Sequence, residues 1–299
     1  MHALVMGWFS WELFGTTAGD LIAKDIVCNW LEEAHITYDV ALAKPFANET
    51  SVDWQQVDSQ KYTDIVFVCG PFRLTWPVPE FLSYFSNCRF IGVNLSMLQP
   101  LSEWNPFTLL YERDSSATIN PDITFYAKPN RVPVVGLLLV HKQKEYGSKG
   151  MYDHAHEVIK KLTDKIKACV VPIDTMIEWN KGGLRTQDEI ETLISRMDLV
   201  ITTRLHGTVL AIKNGVPAIP VDPVAGGAKI SAQVKTIGWP ILFQADQLDD
   251  EELLKAFEFC LTPEARVKTL ECKETAINMI KAVHQRFLRE LTELKNTFK

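Results

Sequence analysis

Met197-Asp198-Leu199-Val200-Ile201-Thr202-Thr203-Arg204-Leu205-His206-Gly207 decides the fold class of this 299-residue chain. A short apolar, β-prone run, Leu199 to Ile201, is followed by two threonines, an arginine, a histidine and a glycine. A helical stretch then runs to Asn214-Gly215, a helix stop signal. The stretch reads as strand, loop, helix. In an open α/β sheet, ligands bind outside the carboxyl ends of the strands. Arg204 and His206 fall at such an end, beside helix N–H groups that favour anions. Two groups able to carry positive charge at that point suggest a small acidic ligand carrying phosphate.

Outward from there, Val216-Pro217-Ala218-Ile219-Pro220-Val221-Asp222-Pro223 is a second strand. Gly226-Gly227-Ala228-Lys229-Ile230 is a second glycine-marked helix start. Two adjacent β-to-α turns therefore bring Arg204, His206 and Lys229 to one sheet edge. Singly, an arginine or lysine is most often solvated surface charge. Their joint placement at strand ends is what favours a ligand site. Asp222 either lines that site or caps a turn.

Strand and helix signals alternate on both sides. Strands are expected over 3–6, 36–41, 64–69, 90–93 and 109–111, with helices over 21–34 and 79–85. Ile22, Ile26, Trp30 and Ala34 suggest the apolar face of the first helix. Such alternation implies a mostly parallel sheet with helices on both faces. The segment Lys128-Pro129-Asn130-Arg131-Val132-Pro133 reads as a linker between domains at 1–130 and 131–299. Beyond it, strands are expected over 134–140 and 168–172 and a helix over 152–166. A helix over 186–196 has Thr186 and Glu189 at capping-box spacing. The tail is helical over 249–260 and again from Pro263, a residue suited to a first turn.

The motif segments resemble the polysaccharide pyruvyl transferase family. Thr-Thr-Arg-Leu-His-Gly, a helix, Asn-Gly-Val-Pro, a strand, Asp-Pro and Gly-Gly-Ala-Lys match its C-terminal signature closely over 197–230. Arg113-Asp114-Ser115-Ser116 resembles its Arg-Asp-x-x-Ser element, and Asp122-Ile123-Thr124-Phe125 its Asp-x-x-Phe element. Ala18-Gly19-Asp20 resembles its Asn-x-Gly-Asp helix start, with Thr17 where the pattern has Asn. The resemblance implies two Rossmann-like doubly wound α/β domains facing a cleft, a glycosyltransferase-B-like architecture with a long C-terminal helix. It also implies phosphoenolpyruvate as co-substrate, with no other cofactor, and a sugar or lipid-linked saccharide diol as acceptor. The product would be a cyclic pyruvate ketal, in exopolysaccharide or cell-wall biosynthesis.

The residue chemistry fits that reaction. A donor bearing a carboxylate and a phosphate needs several cations. Arg204 and Arg113 offer bidentate forks, and Lys229 a point charge. His206 is the candidate proton donor, with pure phosphate binding as its alternative. Asp20 is the candidate base for the acceptor hydroxyl, or simply a first-turn acid stabilised by the helix dipole. Asp114 is a candidate for orienting Arg113. Trp8 and Trp11, with Phe14, are candidates for stacking on a sugar face, although aromatic clusters are more often core.

Composition bounds the alternatives. At 46% hydrophobic residues, the chain can build full cores. A net charge of -6 argues against broad nucleic-acid or anionic-membrane binding. The N-terminus lacks a basic leader pattern, and no apolar run approaches the ~20 residues of a membrane span. Six scattered cysteines at no metal-ligand spacing read as reduced thiols in a cytoplasmic enzyme. His154 and His156 diverge on a helix and read as surface residues rather than metal ligands. Two other functions share the features: a glycosyltransferase using a nucleotide-sugar, and a non-catalytic carbohydrate- or phosphate-binding relative.

Overall fold

The computed structural model describes residues 1–297 and divides into two compact units, Met1–Asn130 and Arg131–Lys299. In the first unit, β1 (His2–Met6), β2 (Thr37–Val40), β3 (Asp64–Phe72), β4 (Arg89–Met97) and β5 (Leu109–Tyr111) form one parallel sheet, in the order β2-β1-β3-β4-β5. In the second unit, β6 (Val134–Leu138), β7 (Cys169–Pro172), β8 (Leu199–Thr202), β9 (Ala218–Asp222) and β10 (Phe243–Gln244) form another, in the order β10-β9-β8-β6-β7. Counted within each unit, both orders are 2-1-3-4-5. This is a doubly wound order whose switch point, where ligands bind, lies between the first and third strands. In the second unit that point is β6/β8.

Both sheets are covered on two faces, as parallel sheets require. Alternate residues of the first sheet enter two cores: Leu4, Met6, Ile65 and Phe67 on one side, Ala3, Val5, Val66 and Val68 on the other. The second core packs Val135, Leu138, Val200, Ile201 and Ile219 with helical residues. The α/β class, the two parallel sheets and the long C-terminal helix are as the sequence predicts.

Several details differ from the sequence expectation. Helix α1 (Ala18–Glu33) buries Ala23, Ile26, Val27 and Leu31, while Ile22 and Trp30 are exposed and Trp30 meets Tyr126. The stripe of small and apolar residues spaced by four at 23, 27 and 31 fits the sheet better than the bulkier one beside it. Strands β3 and β4 each run several residues past their expected ends. Cys69 and Asn94 take positive φ (66° and 58°) at the same level, so both strands kink together and pairing resumes at Gly70–Leu95. The two-residue β10 has no periodicity to read.

Helix α2 (Val78–Tyr84) serves the first unit. Helices α3 (Tyr152–Lys165), α4 (Gln187–Ile194), α5 (Leu205–Lys213), α6 (Lys229–Ile237), α7 (Asp250–Cys260) and α8 (Pro263–Thr297) serve the second. Helix α4 carries the expected Thr186/Glu189 capping box. His156 is only partly exposed, not a surface residue: burial pushes its pKa down, and its Nε2 is enclosed without a hydrogen-bond partner among the described residues.

Candidate functional site

The turn after β8 is held by its threonines. Thr202 Oγ1 donates to Leu138 O (2.9 Å) and accepts from Arg204 N (2.9 Å). Thr203 Oγ1 accepts from Val140 N at 2.8 Å, and Thr203 N donates to Leu138 O. The carboxyl ends of β6 and β8 are thus locked at the switch point. A Cβ on Gly207 would overlap Thr202 Oγ1, so glycine lets the start of α5 approach the strand end.

Arg204 folds back across this edge. Its Nε donates to Leu139 O (3.0 Å) and its Nη1 to Thr175 Oγ1 (2.8 Å). Nη2 lies 3.2 Å from Asp174 Oδ1, outside hydrogen-bond geometry, and is enclosed without a hydrogen-bond partner among the described residues. Burial pushes the Asp174 carboxyl up, but the Met176 N–H, His141 and Arg204 outweigh it and hold the carboxyl below its usual range. With its side chain 11% exposed, Arg204 joins the loops after β6, β7 and β8.

The turn after β9 is built around Asp222, which is 1% exposed. Its Oδ2 accepts from Ala228 N (2.7 Å), Ser231 N (2.9 Å) and Ser231 Oγ (2.8 Å), and Oδ1 from Val224 N. These bonds give Asp222 its turn-capping role, and it also lines the cavity between the two turns. Gly226 and Gly227 both take positive φ (+77° and +78°), and a Cβ on Gly227 would also stand 2.6 Å from Ser231 Oγ, which accounts for the glycine pair.

These two turns flank a cavity of about 120 Å³ lined by Thr203, Arg204, Leu205 and His206 on one side and Asp222, Ala228, Lys229 and Ile230 on the other. Neither Arg204 nor Ala228, the N-cap residues of α5 and α6, caps its helix with a side chain. The start of α5 carries no side-chain cap, whereas at α6 the Asp222 carboxylate accepts from the Ala228 and Ser231 N–H groups; both helix starts, with their positive dipole ends, border the same cavity. His206 and Lys229 are exposed there. Lys229 has no carboxylate in ion-pair reach among the described residues, and its Nζ lies 5.7 Å from the Tyr146 ring centroid. Val140, Gln143, Tyr146 and Thr175 complete the lining. Sequence reading missed these four, although all follow β6 or β7 and so belong to the same sheet edge.

The other expected site residues lie in the first unit and do not line this cavity. Arg113, just past β5, is engaged by acids: Nε to Asp114 (3.1 Å), Nη1 to Asp122 (3.0 Å) and Nη2 to Ser96. Asp114 does hold Arg113, as one of two acidic partners. Burial pushes the Asp122 carboxyl up, but Thr124, Asn94 and Arg113 reverse that and bring its pKa down to about 2. Asn94 also donates to Cys69 Sγ (3.0 Å) and accepts from Ile123 N (3.1 Å). A polar network thus sits where β3 and β4 kink.

Asp20 occupies the third position of α1. Its Oδ2 accepts from Thr17 N and Thr17 Oγ1, both at 2.8 Å, in a capping box. Oδ1 takes no hydrogen bond among the described residues. Threonine is a good N-cap, so Thr17 performs the cap that an asparagine would. Trp8 stacks on Phe14 (5.4 Å, 8°), and a Cβ on Gly70 would overlap its indole ring. Trp11 is wedged among Trp54, Phe67 and Phe81. Both rings are largely committed to packing, whereas Trp76, missed in the sequence, is 72% exposed beside Phe14.

No group of three or more His, Cys, Asp or Glu among the described residues is placed to hold a metal ion. No helix among them is long and apolar enough to cross a membrane. Among solved structures, the chain is similar to the UDP-GlcNAc 2-epimerase of Methanocaldococcus jannaschii (12% identity, 98% of this chain and 99% of that chain, TM-score 0.36). It is also similar to MurG of Acinetobacter baumannii (12% identity, 91% and 94%, TM-score 0.33). No curated protein matches the chain at a significant level. The family model that does match is polysaccharide pyruvyl transferase, over residues 113–223, a stretch that runs from Arg113 through Arg204 and His206 to the turn at Asp222.

Proposed function

We propose that the protein transfers the pyruvyl group of phosphoenolpyruvate to two hydroxyls of a sugar, forming a cyclic ketal and releasing phosphate. The observation that carries this reading is the cavity bordered by the starts of α5 and α6, the first without a side-chain cap, with His206 and Lys229 beside them. That arrangement suits a small, multiply charged anion. Its volume of about 120 Å³ also favours a ligand of that size. Pockets for larger ligands run to ~300–1,000 Å³. The family match over 113–223 supports the choice of phosphoenolpyruvate among such anions.

In the proposed reaction the methylene carbon of phosphoenolpyruvate takes a proton and becomes the methyl group. The adjoining carbon, now electron-poor, is attacked by one sugar hydroxyl. The second hydroxyl then forms the other C–O bond as the C–O bond to phosphate breaks. One hydroxyl proton replaces that given to the methyl group, and the other leaves with phosphate. His206 is proposed to deliver the proton, Lys229 and the helix N–H groups to bind phosphate, and Arg204 to supply charge while fixing the cavity wall. Asp20 is proposed as the acceptor base.

The test is phosphate release from phosphoenolpyruvate with a panel of diol-bearing sugars and lipid-linked saccharides. Acceptor-dependent release that falls by at least ~10²-fold in His206→Ala is expected. Wild-type rates in that variant would remove His206 from the chemistry. Turnover with nucleotide-sugars alone would replace the pyruvyl reading with glycosyl transfer.

A further inference from the structure

Helix α8 is 35 residues long, about 52 Å at 1.5 Å per residue. Its first turns belong to the second unit's core: Ala265, Thr269 and Cys272 are buried. Beyond them Ile277, Ile280, Phe287 and Leu291 recur at spacings of three and four with His284, and all are exposed. Val283 and Leu288 widen the stripe, at 53% and 49% exposed. A helix carrying that repeat is built to meet another helix carrying it.

The stripe has two different halves. Its first half, Ile277, Ile280 and His284, forms one wall of a mostly apolar groove of about 730 Å³, whose other walls are Val209 and Ile212 of α5 and Ile237 of α6. Its second half, Phe287, Leu288 and Leu291, is an apolar ridge. Groove and ridge are complementary, and a two-fold axis between His284 and Phe287 would place each copy's ridge in the other's groove.

We infer that the protein forms a two-fold dimer in which the α8 helices of two copies pair antiparallel, Ile280 against Leu291 and His284 against Phe287 of the second copy. A parallel pairing would set α5 and α6 of both copies at the same level and leave both grooves unfilled. The exposed parts of Ile277, Ile280, Val283, Phe287, Leu288 and Leu291 offer roughly 650 Å² per copy, hence about 1,300 Å² in total, inside the ~1,200–2,000 Å² of stable interfaces.

The test is sedimentation equilibrium of the full chain at micromolar concentration. Twice the 33.9 kDa chain mass is expected. Ile280→Lys and Leu291→Glu are both at exposed positions, so each should leave the melting of dilute protein unchanged while weakening the dimer by about a hundredfold or more. Combined, they oppose Lys to Glu across an antiparallel pair and should restore the dimer. In a parallel pair they would oppose like charges. A wild-type monomer, or a dimer indifferent to both single changes, overturns the inference. Failure of the double variant to recover overturns the antiparallel pairing.

Discussion

Replacing Gly207 with Ala should destabilise the second unit by about 1–3 kcal/mol, against the usual direction of such a change. Glycine to alanine inside a helix ordinarily gains about 1 kcal/mol. Here the new methyl would overlap Thr202 Oγ1, and would stand 3.0 Å from Thr202 Cβ and 3.3 Å from Leu138 Cβ. Thr202 is 0% exposed and cannot swing into solvent. Rotating it would break its bonds to Leu138 O and Arg204 N, worth about 1 kcal/mol each. Otherwise the start of α5 must lift from the strand, an overpacking strain of about 1–3 kcal/mol. Thermal unfolding followed by circular dichroism should drop by about 2–4 °C per kcal/mol for a unit of this size. Thr202→Ala removes the overlapping hydroxyl, so the double variant should lose less than the two single losses combined. A Gly207→Ala protein that melts at or above the wild type, or a strictly additive cycle, refutes this account of the turn.

Arg204→Ala should cost about 3 kcal/mol in chemical denaturation, since it strips Leu139 O and Thr175 of a donor and Asp174 of its cation. Arg204→Lys should rescue little, because one ammonium cannot reach three partners held by three separate nitrogens; near-complete rescue would contradict the bracing role. For Asp122 the folded pKa of about 2 lies below the ordinary 3.8, so its contribution of about 2 kcal/mol is fully present above pH ~4 and is lost as pH falls through ~2. Asp122→Asn should flatten the unfolding free energy over that interval by the same amount, and an unchanged pH profile would count against the Arg113–Asp122–Asn94 network.

Where local chemistry and tertiary structure agree, the sequence is legible. The Thr186/Glu189 box and the paired turns after β8 and β9 follow from residues a few positions apart. Arg204, His206 and Lys229 fall on one edge because the topology puts them there. What stayed hidden depends on contacts across the chain. Arg113 looks like a free fork until Asp122, nine residues on, closes over it. Trp8 and Trp11 suit a sugar face until the 3₁₀ turn at Trp8–Ser10 brings them against Phe67 of β3 in an aromatic cluster. The paired kink at Cys69 and Asn94 was hidden because Cys rarely takes positive φ and Asn, which does so more readily, sits inside an apolar strand run rather than in a turn. At Asp20 the contacts are those of a first-turn acid: its spacing from Thr17 builds a capping box.

Calorimetric titration with phosphoenolpyruvate tests the central claim most directly, with inorganic phosphate and UDP-, GDP- and CMP-sugars as comparisons. The account predicts saturable binding of phosphoenolpyruvate, tighter than phosphate, and weakened about 10–100-fold by Lys229→Ala through loss of one charged contact. Binding of a nucleotide-sugar in its place, or phosphoenolpyruvate binding indifferent to Lys229, would contradict it.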